Sequence, residues 1–258
     1  MNTIAICNQK GGVGKSTTTF HLARAGVRKG LRVLVIDMDP QGNITAALTR
    51  DHLPEDTTGV ADALSTHTKD HLDDVLVPTV WPGADLAPTV GEALAVVRDE
   101  LVIAGAGREG RLRDALHSLR ATYDLVLVDC PPSLDQLTIN ALSAADGVLV
   151  VTQSKLWSSS GLAHLLGTMD SVRAYYNPDL IPLGIVVNLH ENGTVSGTHW
   201  LAELTEAASR SGIPVFTPPI PKRVVISDAV EASCGLDEWP GDVDDLVRVY
   251  DHYLEDVK

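Results

Sequence analysis

The chain has 258 residues, of which 34 are acidic and 20 are basic, so its formal net charge at pH 7 is −14. Its apolar fraction of 44% is sufficient for a large buried core and excludes a disordered chain. The sequence contains neither the ~18 consecutive apolar residues of a membrane helix nor the basic start and cleavage site of a secretory signal. It therefore predicts a globular cytoplasmic protein, and the acidic charge argues against general attraction to nucleic acid or anionic lipid.

The three cysteines, Cys7, Cys130 and Cys234, are far apart in the sequence and form no C-x-x-C pair. The sequence between them holds no Cys/His cluster with the spacing of metal ligands. It therefore predicts neither a zinc site nor an iron–sulfur site.

Short apolar runs alternate with longer amphipathic stretches along most of the chain, which is typical of βα units that build a parallel sheet. We expect one α/β domain over residues 1–258, with a mainly parallel twisted sheet and helices on both faces. Prolines interrupt residues 51–83, for which we make no detailed prediction. The predicted strands cover residues 4–7, 33–36, 85–87, 125–128, 147–151, 182–187 and 214–216. The predicted helices include residues 16–29, 111–120, 201–210 and 242–257.

The first predicted strand runs into the sequence N-Q-K-G-G-V-G-K-S-T, residues 8–17, and then into the first helix. This order of strand, glycine-rich loop and helix is the one that a phosphate-binding P-loop requires. The glycines allow successive backbone N–H groups to surround phosphate oxygens, and the helix N-terminus adds the positive end of its dipole. In this motif Lys15 would reach the β- and γ-phosphates and Ser16 would bind Mg²⁺, so the sequence predicts a P-loop NTPase fold.

The loop departs from the usual spelling, because Gln9 occupies the position of the first glycine and a further lysine, Lys10, precedes the double glycine. The sequence K-G-G-V-G-K-S-T resembles the deviant Walker A motif of the ParA/MinD class of ATPases. This resemblance implies that ATP is the nucleotide and that a homodimer sandwiches it, with Lys10 acting in trans on the phosphates bound by the other subunit. The nucleotide contacts implied for the loop are Lys10, Gly11, Gly12, Val13, Gly14, Lys15, Ser16 and Thr17.

Two carboxylates, Asp37 and Asp39, follow the second predicted strand. An isolated D-x-D at a strand end is also consistent with a turn or a helix cap. In an open α/β sheet, however, ligands bind beyond the carboxyl ends of the strands, and D-x-D-P-Q-G-N over residues 37–43 resembles switch I of ParA-type partition ATPases. The resemblance implies that Asp39 orients the attacking water and that Asp37 supports the coordination shell of the magnesium ion.

Another acid, Asp129, ends the apolar run 125–128, an arrangement typical of a Walker B carboxylate that holds Mg²⁺ through water. The sequence D-C-P-P-S over residues 129–133 resembles switch II of the same family. We interpret Cys130 as a small buried residue and not as a nucleophile, because the sequence places no His or Lys beside it to activate the thiol. The predicted metal ligands are Ser16, Asp37 and Asp129.

The sequence I-P-K-R, residues 220–223, resembles the adenine-side loop of the family, which implies nucleotide contacts for Pro221 and, after an earlier strand, for Asn188. Family members commonly carry DNA-contacting arginines after that earlier strand and after the I-P element, where this chain has H-E-N-G and V-V. Lys222 and Arg223 are also consistent with ordinary solvated surface charges. The candidates for DNA contacts are Lys222, Arg223, Arg210 and Lys155.

The resemblance covers most of the chain and implies an ATP-dependent partition protein that segregates plasmid, prophage or chromosomal DNA. Such a protein dimerises around ATP, binds double-stranded DNA without sequence preference, and is reset when a ParB-like partner stimulates hydrolysis. We therefore expect weak intrinsic ATPase activity, association with the nucleoid in the ATP-bound state, and no membrane binding.

Several alternatives use the same fold. A MinD-like membrane regulator should have a C-terminal amphipathic helix with a basic face, whereas residues 242–258 hold six acids and two bases. A metal-cluster carrier or nitrogenase-reductase relative would need paired cysteines at the dimer face. The D-x-D-P-Q-G-N sequence disfavours a small-molecule ligase, and the positioning of a protein cargo in place of DNA stays open.

Overall fold

Seven strands form one sheet in the computed structural model, which describes residues 1–50, 53–54, 56–153 and 159–258. The strands are β1 Asn2–Cys7, β2 Val33–Asp37, β3 Val77–Pro78, β4 Ala84–Ala87, β5 Leu125–Asp129, β6 Gly147–Gln153 and β7 Ile181–Asn188. They lie in the order β3-β4-β2-β5-β1-β6-β7. Every pair of neighbours is parallel except β3 and β4, which are antiparallel.

Helices connect most of the parallel strands. The α-helices of the described residues are α1 Lys15–Arg28, α2 Asn43–Leu48, α3 Val60–Leu64, α4 Ala93–Ile103, α5 Arg111–Ala115, α6 Gln136–Ala144, α7 Ser159–Tyr175, α8 Val195–Arg210, α9 Val224–Glu231 and α10 Asp244–Asp256. Short 3-10 helices cover Leu72–Val75, Arg108–Gly110, Leu116–Leu119 and Leu236–Glu238.

The central strands are buried on both faces, as their continuous Val, Ile and Leu runs predict. Alternate residues of a strand point to opposite faces. Ala5 and Cys7 accordingly pack with residues of α3 to α8, whereas Ile4 and Ile6 pack with residues of α1, α2, α9 and α10. The expected α/β fold, with a mainly parallel sheet and helices on both faces, is confirmed.

The apolar face of α10 is covered by α1. Tyr250 and Tyr253 are buried there, and the rings of His21 and Tyr250 lie 4.7 Å apart between centroids. The start of β1 is tied to the same region, since Asn2 Nδ2 donates a hydrogen bond to the Val257 carbonyl oxygen at 2.7 Å. The amphipathic character of α10 is therefore explained by packing inside the protein. Within the described residues, no helix is both long and apolar enough to cross a membrane.

The prediction of a strand at residues 214–216 is wrong. A single bridge joins Val215 to Ile185, through hydrogen bonds from the Ile185 amide to the Pro214 oxygen (2.8 Å) and from the Phe216 amide to the Ile185 oxygen (2.9 Å). Proline has no N–H to donate to a ladder, and the segment continues into Pro218, so the pairing stops after one bridge.

The predicted helices are present, but their bounds differ. The helix predicted at residues 111–120 is α-helical only as far as Ala115 and continues as a 3-10 helix, and α8 begins at Val195 instead of residue 201. The segment without a detailed prediction contains α3, one 3-10 helix and β3. The elements of this segment are short because prolines interrupt helices and strands.

Candidate nucleotide-binding site

Three adjacent strands bring the predicted motifs to one edge of the sheet. The order β2-β5-β1 places the ends of these strands side by side, and Asp129 is the register partner of both Asp37 and Ile6. The carboxyl ends of parallel strands are where open α/β sheets bind ligands. The P-loop after β1 and the two acidic strand ends therefore border one site.

The conformation of the loop depends on its glycines. Gly12 and Gly14 have φ of 71° and 92°, in the left-handed region that favours glycine. Gly14 directly precedes α1 and provides no side-chain cap for it, so the first amides of the helix can serve an anion. Two side chains hold the loop from outside: Gln153 Nε2 donates to the Gly12 oxygen at 2.7 Å, and Asn188 Nδ2 donates to the Val13 oxygen at 3.0 Å.

Replacing Gly14 with alanine is expected to destabilise the protein strongly, because the new Cβ would lie 1.9 Å from Asn188 Nδ2 at a positive φ. Gly30→Ala is the matched control, since Gly30 also has a positive φ but no atom within 4 Å of a Cβ. Backbone strain alone costs about 1 kcal/mol, and we expect Gly14→Ala to lower the free energy of unfolding by at least about twice that amount. Equal losses in urea unfolding would show that Asn188 does not confine the loop.

Side chains at the start of α1 are linked to β5. Ser16 Oγ donates to one carboxylate oxygen of Asp129 at 2.6 Å, and Thr19 Oγ1 donates to the other at 3.1 Å. Lys15 is buried, and its Nζ donates to the Lys10 carbonyl oxygen at 3.4 Å. The predicted phosphate-binding lysine and two predicted magnesium ligands therefore lie in one small region.

The Asp37 carboxylate is used at the start of α2. One of its oxygens accepts hydrogen bonds from the Thr45 amide (3.0 Å) and the Thr45 hydroxyl (2.7 Å), and the other accepts one from the Asp39 amide (3.1 Å). Its side chain is fully buried. Asp37 thus positions the segment that carries Asp39, while its predicted role near magnesium stays a prediction.

The two strand-end carboxylates are held in an environment that disfavours two negative charges. Burial and the neighbouring Asp129 carboxylate raise the pKa of Asp37 to about 8. Burial also raises the pKa of Asp129 to about 6, although hydrogen bonds from Ser16 and Thr19 and the charge of Lys15 act in the opposite direction. A divalent cation nearby would stabilise the ionised forms of both groups.

The oxygen donors fit Mg²⁺ better than a soft metal. Ser16 and the two carboxylates offer hard ligands, and Mg²⁺ is typically held by one or two carboxylates together with substrate phosphates. In the described part of the chain, no group of three or more His, Cys, Asp or Glu side chains could hold a metal ion by itself. The site therefore suits a magnesium ion that arrives with a nucleotide.

A pocket of about 700 Å³ opens between the P-loop, the segment after β2, and α9. Its size lies within the range usual for small-molecule sites. Its walls include most of the predicted site residues. These are Gly11, Gly12, Gly14, Lys15, Ser16, Thr17, Asp39, Asn188 and Arg223.

Other predicted residues lie outside that wall. Lys10 is exposed on the loop, and Val13 is buried beneath it with its side chain in the core. Pro221 lines a neighbouring pocket of about 490 Å³ together with His190, to which it is joined by a β-bridge. Asp37 and Asp129 support the wall from behind through the bonds described above.

Sequence reasoning missed the wall formed by α9. Ile226, Ser227, Val230 and Glu231 line the pocket from one face of this helix. Their spacing of one and four residues is the helical repeat and could have revealed that face. Helix α2 also lines the pocket, where Ala46 and Ala47 give the wall an apolar surface.

The predicted DNA-contacting residues are each close to an acid. Lys222 lies 3.7 Å from Glu191, Arg223 lies 2.9 Å from Asp245, and Arg210 lies 3.6 Å from Glu206. These distances join the side-chain nitrogen to the carboxylate oxygen. Such pairs reduce the positive potential that these cations offer to a polyanion. Lys155, the fourth candidate, falls outside the described residues.

Cys7 and Cys130 are buried free thiols at the ends of β1 and β5, with their Sγ atoms 3.1 Å apart. Burial, together with Cys7, raises the pKa of Cys130. A protonated, buried thiol is a poor nucleophile, which agrees with the packing role predicted for Cys130.

The parallel sheet, the P-loop and the two acidic strand ends define a P-loop NTPase. Residues 1–181 match the family model described as AAA domain. The chromosome partitioning protein ParA of Caulobacter vibrioides is 39% identical over 231 residues, which cover 89% of this chain and 84% of that protein. The chromosome-partitioning ATPase Soj of Thermus thermophilus is 40% identical over 228 residues, which cover 88% and 83%. The chain belongs to this AAA domain family and, within it, to the ParA/Soj type of P-loop ATPase.

Solved structures share the fold. Cobyrinic acid a,c-diamide synthase from Mycobacterium smegmatis, crystallised with an ATP analog and magnesium, is 32% identical with a TM-score of 0.81, over 99% of this chain and 93% of that one. Apo McdA from Cyanthece is 23% identical with a TM-score of 0.87 over the whole of both chains, which shows the fold alone. Proteins with different names therefore share this architecture, and the residues of the site must decide between functions.

Proposed function

We propose that this protein is a partition ATPase that works as a nucleotide switch. It binds ATP with Mg²⁺, forms a homodimer around the nucleotide, binds double-stranded DNA without sequence preference, and returns to the free monomer after hydrolysis. A ParB-like partner stimulates that hydrolysis. The observation that carries the proposal is the convergence of Lys15, Ser16, Asp39 and Asp129 around one pocket.

Each residue has a separate task in this proposal. Lys15 binds the β- and γ-phosphates, Ser16 ligates Mg²⁺, and Asp129 holds the ion through water. Asp39 orients the attacking water from the pocket wall, a position consistent with a reaction that depends on alignment and charge stabilisation. Lys10 is exposed, as a lysine that reaches a second subunit must be.

The relatives named ParA and Soj support chromosome or plasmid DNA as the cargo, and such a protein would reside in the cytoplasm. DNA binding is nonetheless the step that the charges support least. The net charge is −14, and the described candidate cations are paired with acids. We therefore expect weak binding that appears only when dimerisation brings Lys222 and Arg210 of both subunits together.

The test is a titration of an Asp39→Ala dimer, held in the ATP-bound state, with unrelated DNA duplexes at two salt concentrations. We expect similar affinities for all duplexes, because phosphate contacts carry no base information. Changing Lys222 and Arg210 to alanine should reduce the slope of log K against log salt by about 0.9 for each phosphate that the protein no longer neutralises. Arg32→Ala is the control. Arg32 directly precedes β2, at the edge of the sheet opposite the nucleotide pocket, and is paired there with Asp124. Absence of binding at low salt would contradict a DNA-binding role.

Positioning of a protein cargo is the second candidate. The pairing of Lys222 and Arg210 with acids is the observation that favours it. A MinD-like membrane role has less support, because the apolar face of α10 is packed against α1. Failure of DNA binding with intact ATP-dependent dimerisation would favour a protein cargo.

A further inference from the structure

Arg223 lies on the boundary between two pockets. It immediately precedes α9 and lines both the nucleotide pocket of about 700 Å³ and the neighbouring pocket of about 490 Å³. Within the described wall of the nucleotide pocket, the cationic side chains are Lys15 and Arg223. A nucleoside triphosphate carries several negative charges, so a second cation in the wall is a ready partner for it.

Arg223 is held in place by one exposed acid. Its Nη1 donates to both carboxylate oxygens of Asp245, at 3.0 and 2.9 Å. Asp245 is in the first turn of α10, where its negative charge interacts favourably with the positive end of the helix dipole. The side chain of Asp245 is 60% exposed and that of Arg223 is 36% exposed. Exposed ion pairs of this kind contribute little stability, so separating Arg223 from Asp245 costs little free energy.

The adjacent lysine has a different environment. Lys222 faces Glu191 and lines the neighbouring pocket, but it is not part of the nucleotide pocket. Both cations line the neighbouring pocket, but only Arg223 also lines the nucleotide pocket. Arg223 is therefore the one of these two cations whose position lets it contact a ligand in the nucleotide pocket.

We propose that Arg223 binds the nucleotide, and that Asp245 holds the guanidinium when the pocket contains no nucleotide. The inference rests on the proposed function, because it requires ATP in this pocket. A guanidinium can bind a nucleotide in two ways, because its N–H groups can donate to an anionic oxygen and its plane can stack on a base. Nucleotide binding then releases Asp245 and loosens the contact between the start of α9 and the start of α10.

The test is calorimetric titration of each variant with a non-hydrolysable ATP analog and Mg²⁺. Arg223→Ala should weaken binding by about ten-fold, as expected when one charge-assisted hydrogen bond is removed. Arg248→Ala is the matched control, because it removes the same charge from an exposed position of α10, three residues after Asp245. It should change the affinity by less than about two-fold.

Asp245→Asn provides an independent variant, because it removes the competitor and leaves Arg223 intact. We expect this change to tighten binding by about two-fold. The gain should disappear in the Asp245→Asn/Arg223→Ala double variant, since the two residues act on one contact. Equal gains with and without Arg223 would overturn the proposed competition.

Lys15→Ala separates failure of this inference from failure of the proposed function. If Arg223→Ala binds like the unmodified protein while Lys15→Ala does not bind, Arg223 has no nucleotide contact and the ATP site stands. If Lys15→Ala also binds normally, the pocket is not the nucleotide site and both proposals fall. Weaker binding of Arg223→Ala alongside unchanged Arg248→Ala supports the inference.

Discussion

Replacing Lys15 with alanine is expected to weaken ATP binding by about 100-fold or more, because the variant lacks the buried ammonium that binds the phosphates. The ammonium also offsets the negative charge of Asp129. Asp39→Ala should behave differently, since Asp39 is proposed to orient water and not to bind phosphate. It should retain ATP, accumulate as an ATP-bound dimer, and hydrolyse ATP about 100-fold or more slowly.

Nucleotide affinity and single-turnover hydrolysis measured on both variants distinguish these effects. The Asp39 carboxylate accepts a hydrogen bond from the Gln41 amide at 3.0 Å, so Asp39→Asn is a useful companion that retains an acceptor for this turn. Hydrolysis at the normal rate in both alanine variants would show that the site is assigned to the wrong residues.

Gly11→Val is expected to leave a monomer that still binds ATP. Gly11 is exposed, and within one subunit its new Cβ would meet only the Pro132 side chain, at 4.0 Å. A Cβ at this position therefore fits in the monomer, and we expect the branched valine side chain to obstruct the close approach of a second backbone. Sedimentation with ATP should show the unmodified protein as a dimer and Gly11→Val as a monomer.

The control is Gly105→Val, since a Cβ at Gly105 has no neighbour within 4 Å and this glycine likewise has no positive φ. That variant should still dimerise. Lys10→Ala should also weaken the dimer, because the charge that acts on the other subunit's nucleotide is removed. An ATP dimer of normal stability in both Gly11→Val and Lys10→Ala would remove the proposed trans contact.

The first half of the site was predictable because its motifs follow adjacent parallel strands. Asp37 and Asp129 end β2 and β5, the loop that leads to Lys15 follows β1 directly, and strand ends at one sheet edge must meet. The hydrophobic runs that define these strands are long enough to be read without tertiary information. Motif and topology therefore agree in this region.

The other half depends on contacts between segments that no local pattern connects. Pro221 lines the neighbouring pocket, where it forms a single bridge with His190, and Arg223 is paired with Asp245 of a later helix. The support of the loop by Gln153 is likewise a contact across the sheet. Each depends on how a turn directs one side chain, which composition and periodicity do not determine.

The hydrogen bond between Asn2 and the Val257 carbonyl places both ends of the described chain together. Because β1 runs from Asn2 toward the P-loop, this point lies at the edge of the sheet opposite the nucleotide pocket. A fluorophore or affinity handle joined at either end would project away from the pocket. Labels at both ends of one subunit would report the same position, so distances measured between the subunits of a dimer should be nearly independent of the end that carries the label.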